Sequence, residues 1–392
     1  MRVFVIAGEA SGDNLGAAVM DGLRSLAPDV TFDGVGGPAM QARGLQSRFP
    51  MEELSLMGLA EILPRYLHLR RRIRELADSV AATRPDLLLT IDSPDFCLRV
   101  ARAARARIPV PTSHYVAPSV WAWRPGRAAR MAPFIDHVLA LLPFEPPLMQ
   151  AAGMDCDFVG HPVTTGRLAS DAEAAAFRAR HGIGGAPLVL ALPGSRVGEV
   201  ARLAPRFGKT LARVAVHHPD MRIVLPMAAP VAALVRGQVQ GWPVAPLLID
   251  PADDAGGHDK RAAFRAADAA LAASGTVALE LAANATPMVI GYDMAPLSRM
   301  IISRMLRTDT VNLVNLVSET RVIPEFIGRA CQPGPMADAL LATLADPRPQ
   351  QAAMAITMER LGAGGEPPGL RAARALLARH GGLRLSGSIP GG

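Results

Sequence analysis

Aromatic side chains make up only 4% of this 392-residue chain, although half of its residues are hydrophobic. The apolar mass therefore rests on Ala, Leu and Val, which suits strands and helices alternating in an α/β protein. Long hydrophobic runs are missing as well. Mean hydropathy is positive at +0.21, yet no run of about 18 or more apolar residues free of charge occurs, which argues against a membrane-spanning helix. The opening MRVFVIAGEASGD has too short an apolar run for a signal peptide and turns straight into Gly-rich sequence. A cytoplasmic protein is expected. Three cysteines, Cys97, Cys156 and Cys331, stand far apart with no CxxC pair. Neither a disulfide framework nor a zinc site is expected from them, only buried reduced thiols. There is no tandem repeat.

Charge is present but uneven. The formal net charge is +6, and residues 65–107 alone hold ten arginines against Glu75, Asp78, Asp86, Asp92 and Asp95. A local cationic face suits nucleic acid, anionic lipid or an anionic substrate. The interleaved aromatics and modules that favour nucleic acid are absent, so nucleic acid is not an expected partner.

The apolar pattern predicts a parallel α/β sheet, then a second one. Val3–Ala7 reads as a strand bounded by Gly8, followed by a helix from about Asp13 to Leu26. Further strands are expected at Val30–Val35, Leu87–Ile91, Val110–Val116, Ile135–Leu141 and Phe158–Val159, with helices at Pro64–Thr83 and Asp95–Arg107 between them. After a Gly/Pro-rich connector the pattern restarts. Leu188–Leu192 is a strand, Val197–His217 a helix, and strands follow at Met221–Leu225, Pro246–Asp250, Ala269–Ala273 and Pro287–Gly291. The expected organisation is a doubly wound, Rossmann-like domain over 1–165, a second over 166–334, and helices over 335–392 that pack back across both, ending in a flexible tail. Ligands are expected in a crevice at the strand carboxyl ends of the two halves.

Several motifs mislead. Gly208-Lys209-Thr210 ends like a phosphate-binding P-loop, but the required upstream glycine is missing and the stretch lies within a helix. Gly34-Val35-Gly36-Gly37-Pro38-Ala39 fits GxGxxA, yet no acidic residue closes a second strand as a dinucleotide fold needs. Asp155-Cys156-Asp157 resembles a metal-binding DxD; placed before its strand, it reads as two carboxylates in a surface turn. His114 and His161 read as hydrogen-bonded histidines, not ligands.

Four constellations fall where chemistry is expected. Gly8-Glu9-Ala10-Ser11-Gly12-Asp13 joins the first strand to the first helix, and Glu9, Ser11 and Asp13 are candidate substrate-binding groups there, Asp13 doubling as a possible N-cap. Asp92 and Asp95 end the strand Leu87–Ile91; a carboxylate at Asp92 suits a general base, while Asp95 suits a helix cap or a substrate contact. Trp121 and Trp123, two of three tryptophans, share one loop and suit either packing on sugar or acyl chains or packing in the core. In the second half Ser195 and Arg196 open a helix N-terminus suited to diphosphate. Ser274, Gly275 and Thr276 repeat that device, with Glu280 one turn on and suited to ribose hydroxyls.

Ten segments carry a family resemblance: GEASGD, GVGGPxM, MEELxxMG, IDSPDF, HYVxPSVWAWR, LPFE, GHP, LPGSR, SGTxxLE and VNLVNL. In this order, from about residue 3 to 330, they resemble the lipid-A-disaccharide synthases. The resemblance implies the two-domain GT-B fold, with an acceptor-side first domain and a UDP-sugar-binding second one. It implies an inverting glycosyltransferase without metal or cofactor, with UDP-2,3-diacylglucosamine as donor, 2,3-diacylglucosamine 1-phosphate as acceptor and a β-1,6-linked product. Asp92 matches the base and Arg196 the diphosphate ligand. Ser195, Glu280 and the asparagines of the VNLVNL segment, Asn312 and Asn315, fall in nucleotide-side motifs. After Pro324-Glu325-Phe326-Ile327 the pattern suggests Gln, where this chain has Gly328. Rival readings are another GT-B enzyme such as a nucleotide-sugar epimerase, a nucleotide-dependent oxidoreductase, and a basic surface-binding protein.

Acylated substrates imply work at the inner leaflet of the cytoplasmic membrane, as a peripheral protein. Met57, Leu59, Ile62 and Leu63 beside Arg70, Arg71 and Arg72 form the expected membrane-facing segment. A homodimer is among the expected assemblies.

Overall fold

A computed structural model describes residues 1–54, 62–122, 126–294 and 308–381, with the backbone alone for 62–66. The chain forms two compact units, Met1–Thr165 together with the segment from Gly364 onward, and Gly166–Ala363. The first contains β1 (Arg2–Ala7), α1 (Ala10–Leu26), β2 (Thr31–Val35), α2 (Pro38–Gln41), α3 (Ile62–Thr83), β3 (Leu87–Ile91), α4 (Pro94–Arg105), β4 (Thr112–Tyr115), α5 (Gly126–Met131), β5 (His137–Ala140), α6 (Pro146–Gln150) and β6 (Asp155–Phe158). Its six strands are all parallel, in the order β2-β1-β3-β4-β5-β6. β1 and β3 are apolar end to end apart from Arg2 and Thr90 because helices cover both faces of such a sheet.

The second unit holds α7 (Asp171–Arg180), β7 (Leu188–Leu192), α8 (Val197–His217), β8 (Arg222–Pro226), α9 (Ala232–Val239), β9 (Leu247–Ile249), α10 (His258–Ala266) and β10 (Ala269–Ala272). It continues through α11 (Val277–Ala283), β11 (Met288–Tyr292), α12 (Leu313–Ser318), β12 (Glu325–Ile327), α13 (Pro333–Ala345) and α14 (Arg348–Arg360). These strands are also parallel, ordered β12-β11-β10-β7-β8-β9. Counted within the unit, that is the doubly wound order 3-2-1-4-5-6. Each sheet has its own hydrophobic core.

Two expectations shift. α1 begins at Ala10, not Asp13, and β6 runs over Asp155–Phe158, so both carboxylates of the Asp155-Cys156-Asp157 motif lie within an edge strand rather than before it. Arg379 makes that placement tolerable by pairing with Asp155 at 2.6 Å and Asp157 at 3.5 Å.

The helices after Pro335 divide between the units. α13 packs on α8 and α14 on α12, whereas the last helix, α15 (Pro368–His380), packs along α1. That last contact is close because glycine permits it. A Cβ on Gly369 would lie 2.6 Å from the Ala18 carbonyl oxygen, and one on Gly22 would lie 2.7 Å from the Gly369 oxygen.

The Gly369→Ala variant must push two backbones apart and should cost about 1–3 kcal/mol. Gly237→Ala, at an open position inside α9, should instead stabilise by about 0.5–1 kcal/mol. Thermal midpoints that move in opposite directions would check this pair.

Candidate active site

In the first sheet the connections leave β1 and β3 in opposite directions, so the loops after these neighbouring strands part and leave a crevice. Both loops carry polar residues. Asp92 and Ser93 adopt left-handed backbone, with φ of 52° and 40°, a conformation that costs non-glycine residues roughly 1–3 kcal/mol each. Backbone hydrogen bonds hold it. The Asp92 N–H donates to Tyr115 O at 2.9 Å, and the Phe96 and Cys97 amides donate to Ser93 O at 3.0 and 2.9 Å. The half-buried carboxylate is then aimed from both sides. Ser93 N–H donates to Asp92 Oδ1 and Ser11 Oγ donates to Oδ2, each at 2.8 Å. Each oxygen keeps a lone pair for a further donor. Glu9 is exposed beside them and accepts from Ser93 Oγ at 3.3 Å. The two loops come this close because Gly8 has no side chain: a Cβ there would lie 2.8 Å from Ser93 Oγ.

The other polar residues expected in this unit have protein partners of their own. Asp13, expected to bind substrate, is 4% exposed and accepts from the amides of Gly37, Ala39 and Met40 at 2.8, 2.8 and 3.0 Å. It caps α2 from a distance. The same carboxylate fills the place that a pyrophosphate would take at the GxGxxA segment, so residues 34–39 offer no dinucleotide site. Asp95 does not cap α4, whose N-cap is Ser93; it lies exposed, ion-paired with Arg127. Trp121 is half-buried, donates its indole N–H to Glu145 Oε1 at 3.4 Å and meets Phe144 edge-on at 5.5 Å. Trp123 lies outside the described residues.

The histidines are neutral core groups. Burial pushes His114 down to about 4, with Arg127 adding to the shift, and its Nδ1 meets Thr90 Oγ1 at 2.8 Å. Burial likewise lowers His161 to about 4, and its Nδ1 accepts from Val163 N–H. Asp157, His137 and Ser113 line up like a catalytic triad, at 2.9 and 3.3 Å. Ser113 is fully buried and also meets His380 at 3.0 Å, so this alignment is a core network out of reach of substrate. Cys97, Cys156 and Cys331 are buried thiols.

The basic face of α3 is partly internal. Arg72, expected to face lipid, instead forms a two-pronged pair with Glu53 at 2.8 and 2.9 Å, meets Glu75 at 2.8 Å and lies 4.3 Å over the Phe49 ring. Arg70 and Arg71 are exposed beside Leu67, which is 62% exposed. Met57 and Leu59, and the side chains of Ile62 and Leu63, lie outside the described residues.

In the second unit the switch point falls between β7 and β10, and a cavity of about 460 Å³ opens there. Ser195, Arg196, Ser274, Gly275, Thr276 and Glu280 all line it. The α8 N-terminus is not wholly open to an anion. Glu199 accepts from the amides of Ser195 and Arg196 at 3.2 and 3.4 Å and from Arg196 Nη1 at 3.1 Å. The amides of Val197 and Gly198 head the helix, in the set that a helix cannot satisfy internally. The Arg196 side chain is 80% exposed, with most of its donors facing the solvent. Glu199 has a sequence signal that went unused: an acidic residue three positions after an N-cap. Lys260 and Phe264 also line the cavity, with no motif to announce them.

Asn312 and Asn315, also expected on the nucleotide side, are not among the residues lining this cavity. Asn312 is the buried N-cap of α12, accepting from Val314 and Asn315 amides at 2.8 and 3.2 Å. The Asn315 side chain is also buried; it donates to Ile323 O and accepts from Ile323 N–H, at 2.9 and 3.0 Å. Their three-residue spacing turns both inward. Gly328, where Gln was expected, has φ +65°, a conformation that favours glycine over any side chain.

Two doubly wound parallel sheets, each with polar residues at its own switch point, make up the GT-B class of fold. Solved structures of similar fold include a UDP co-structure of MnaA from S. aureus, at 14% identity and TM-score 0.64, covering 99% of this chain and 98% of that one. The UDP-GlcNAc 2-epimerase from Neisseria meningitidis, bound to UDP-GlcNAc, aligns at 13% identity and TM-score 0.62 over 97% and 99%. At such identities the likeness concerns the fold alone. Sequence is more specific. The family description lipid-A-disaccharide synthetase matches residues 3–367. The lipid-A-disaccharide synthase of Ruegeria pomeroyi is 63% identical, covering 97% of this chain and 95% of that protein, and that of Rhodospirillum centenum is 47% identical over 96% and 94%. The chain belongs to the lipid-A-disaccharide synthase family.

One buried carboxyl near Trp121 predicts a pH effect. Burial raises Glu145 to about 7, against hydrogen bonds from Leu142 N–H and the Trp121 indole. The folded state then holds a proton that an unfolded carboxyl releases from its ordinary 4.5 upward. Stability contributed by this group should therefore fall as pH rises from about 4.5 to 7 and level off above, by up to a few kcal/mol. Glu145→Gln gives up one acceptor but cannot titrate. The gap between thermal midpoints of parent and variant should shift in the variant's favour from pH 5 to pH 7.5; a constant gap would show that Glu145 titrates normally.

Proposed function

We propose that Asp92 is the general base of the sugar transfer carried out by this enzyme of lipid A biosynthesis. The donor is UDP-2,3-diacylglucosamine and the acceptor 2,3-diacylglucosamine 1-phosphate. Asp92 takes the proton from the acceptor's 6-hydroxyl, and the oxygen attacks the anomeric carbon of the donor from the face opposite UDP. The new bond forms as the bond to the diphosphate breaks, so configuration inverts in one step and no carboxylate nucleophile is needed. The observation that carries this reading is the left-handed turn at Asp92–Ser93. There a carboxylate is strained into place, aimed by Ser11 and Ser93, and left with free acceptor capacity at the switch point.

In the second unit, the cavity at the β7–β10 switch point suits UDP. Arg196 and the leading amides of α8 supply positive charge for the departing diphosphate, and Ser274 to Thr276 offer a second helix start. Glu280 suits the ribose hydroxyls. Because both substrates carry acyl chains, the enzyme works from the inner leaflet of the cytoplasmic membrane. No described helix is long and apolar enough to cross it, and Leu67, Arg70 and Arg71 offer an exposed apolar and cationic surface for it.

Asp92→Asn preserves shape and tolerates the left-handed turn, so it should fold normally while losing roughly 100-fold or more in kcat, the usual share of general-base catalysis. Near-normal turnover of acylated UDP-glucosamine with lipid acceptor would remove Asp92 from the chemistry. The membrane surface has its own test. Replacing Arg70 and Arg71 by Gln should weaken sedimentation with anionic vesicles, by about 1 kcal/mol per arginine at low salt and less as salt rises, with UDP affinity unchanged. Sedimentation equal to the parent's would leave α3 as a solvent-facing helix.

A further inference from the structure

The cavity of the second unit holds a cation that none of the sequence motifs includes. The sequence has 41 Lys and Arg residues, and only two of them, Lys209 and Lys260, are lysines. Lys209 lies within α8 and is exposed; Lys260 lines the cavity. Its ammonium donates to Glu280 Oε2 at 2.7 Å and lies 5.2 Å from the centre of the Phe264 ring, one turn further along α10. Phe264 is buried at the same cavity wall. The backbone beneath is fixed as well: the amides of Asp259 and Lys260 donate to the two Asp254 oxygens at 3.1 and 2.9 Å.

Folding does not need this arrangement. The two side chains are 46% and 43% exposed, and half-exposed ion pairs contribute little to stability. Its effect is on the carboxylate. Glu280 has one oxygen held by Lys260, which leaves the other, Oε1, in a set orientation toward a donor. A nucleotide's ribose presents hydroxyl donors of that kind, and a fixed acceptor loses less freedom on binding than a mobile one. Charge points the same way. Glu199 and Glu280 both line a cavity read as a diphosphate site, and each has one cation as partner, Arg196 and Lys260 respectively. Without Lys260 the Glu280 charge would face an anionic ligand uncompensated.

We infer that Lys260 is a positioning residue for ribose recognition: it holds the Glu280 carboxylate so that the carboxylate accepts from a ribose hydroxyl of the bound nucleotide. The inference rests on the reading of this cavity as the UDP site. A compact ammonium suits the task, since it engages one oxygen as a point charge where an arginine fork would take both.

The test is calorimetric titration of the full chain with UDP, 2′-deoxy-UDP and 3′-deoxy-UDP, applied to the parent, Lys260→Met, Lys260→Arg, Glu280→Gln and the double variant Lys260→Met/Glu280→Gln. The parent should bind UDP about 10-fold or more tightly than at least one deoxy ligand, the range expected for a lost hydrogen bond to a charged group. Lys260→Met should lose most of that preference with its thermal midpoint unchanged, and Lys260→Arg should restore part of it. The double variant should be no worse than Glu280→Gln alone. Retention of the full deoxy preference by Lys260→Met, or additive losses in the double variant, would overturn the role of Lys260 while the UDP site stands. A parent that binds UDP but accepts both deoxy ligands equally would do the same. A parent that binds no UDP would overturn the cavity's assignment and the inference with it.

Discussion

Strand order is the constraint on which both sites depend. In a parallel sheet every connection must cross over a face, and at one place in each sheet neighbouring connections cross opposite faces. At β1 and β3, and again at β7 and β10, the loops part and leave backbone and side chains with no covering helix. Asp92 stands at the first place and Arg196 at the second. The local segment puts each residue at a strand end or helix start; which strand lies beside which makes that place an opening.

Around these openings, carboxylates do most of the organising. Asp13 holds the start of α2, Glu53 draws Arg72 inward, Glu199 folds back on the loop that leads into α8, and Asp254 fixes the start of α10. Each sits where backbone amides or a guanidinium would otherwise be unsatisfied, and a charged acceptor at such a place gives a stronger hydrogen bond than a neutral one. The polar groups left over, on Asp92, Arg196 and Glu280, are those with exposed capacity.

Regular elements were legible in the sequence wherever the apolar pattern was strong. β3, β7 and α8 run over the residues expected of them, Leu87–Ile91, Leu188–Leu192 and Val197–His217. Boundaries failed where polar residues intrude on a strand, as at Asp155 in β6. Within the site, the placement of Asp92 at a strand's carboxyl end and of Arg196 at a helix start was legible because each follows from its own strand-to-turn transition. Asp13, Asn312 and Asn315 show how little sequence says about a polar side chain's partners. A small polar side chain beside a turn serves equally well as a ligand contact or as a cap, and the partners of Asp13, at the start of α2, lie on another element. Arg72 is alike, since Glu53 is not on its helix. Lys260 had no local signal at all; only the fold brings it to Glu280.

The course of the chain also has a consequence for synthesis. α15, which covers α1 through Ala18, Gly22 and Gly369, is encoded after the whole of the second unit. On a ribosome adding about 5–20 residues per second, the roughly 200 residues of that unit occupy about 10–40 seconds. For that interval the first sheet exists without its last helix, and the small-residue face of α1 stays bare. The second unit, continuous in sequence, has all of its elements before the first unit gains its last helix. The half that carries Asp92 is begun first and finished last.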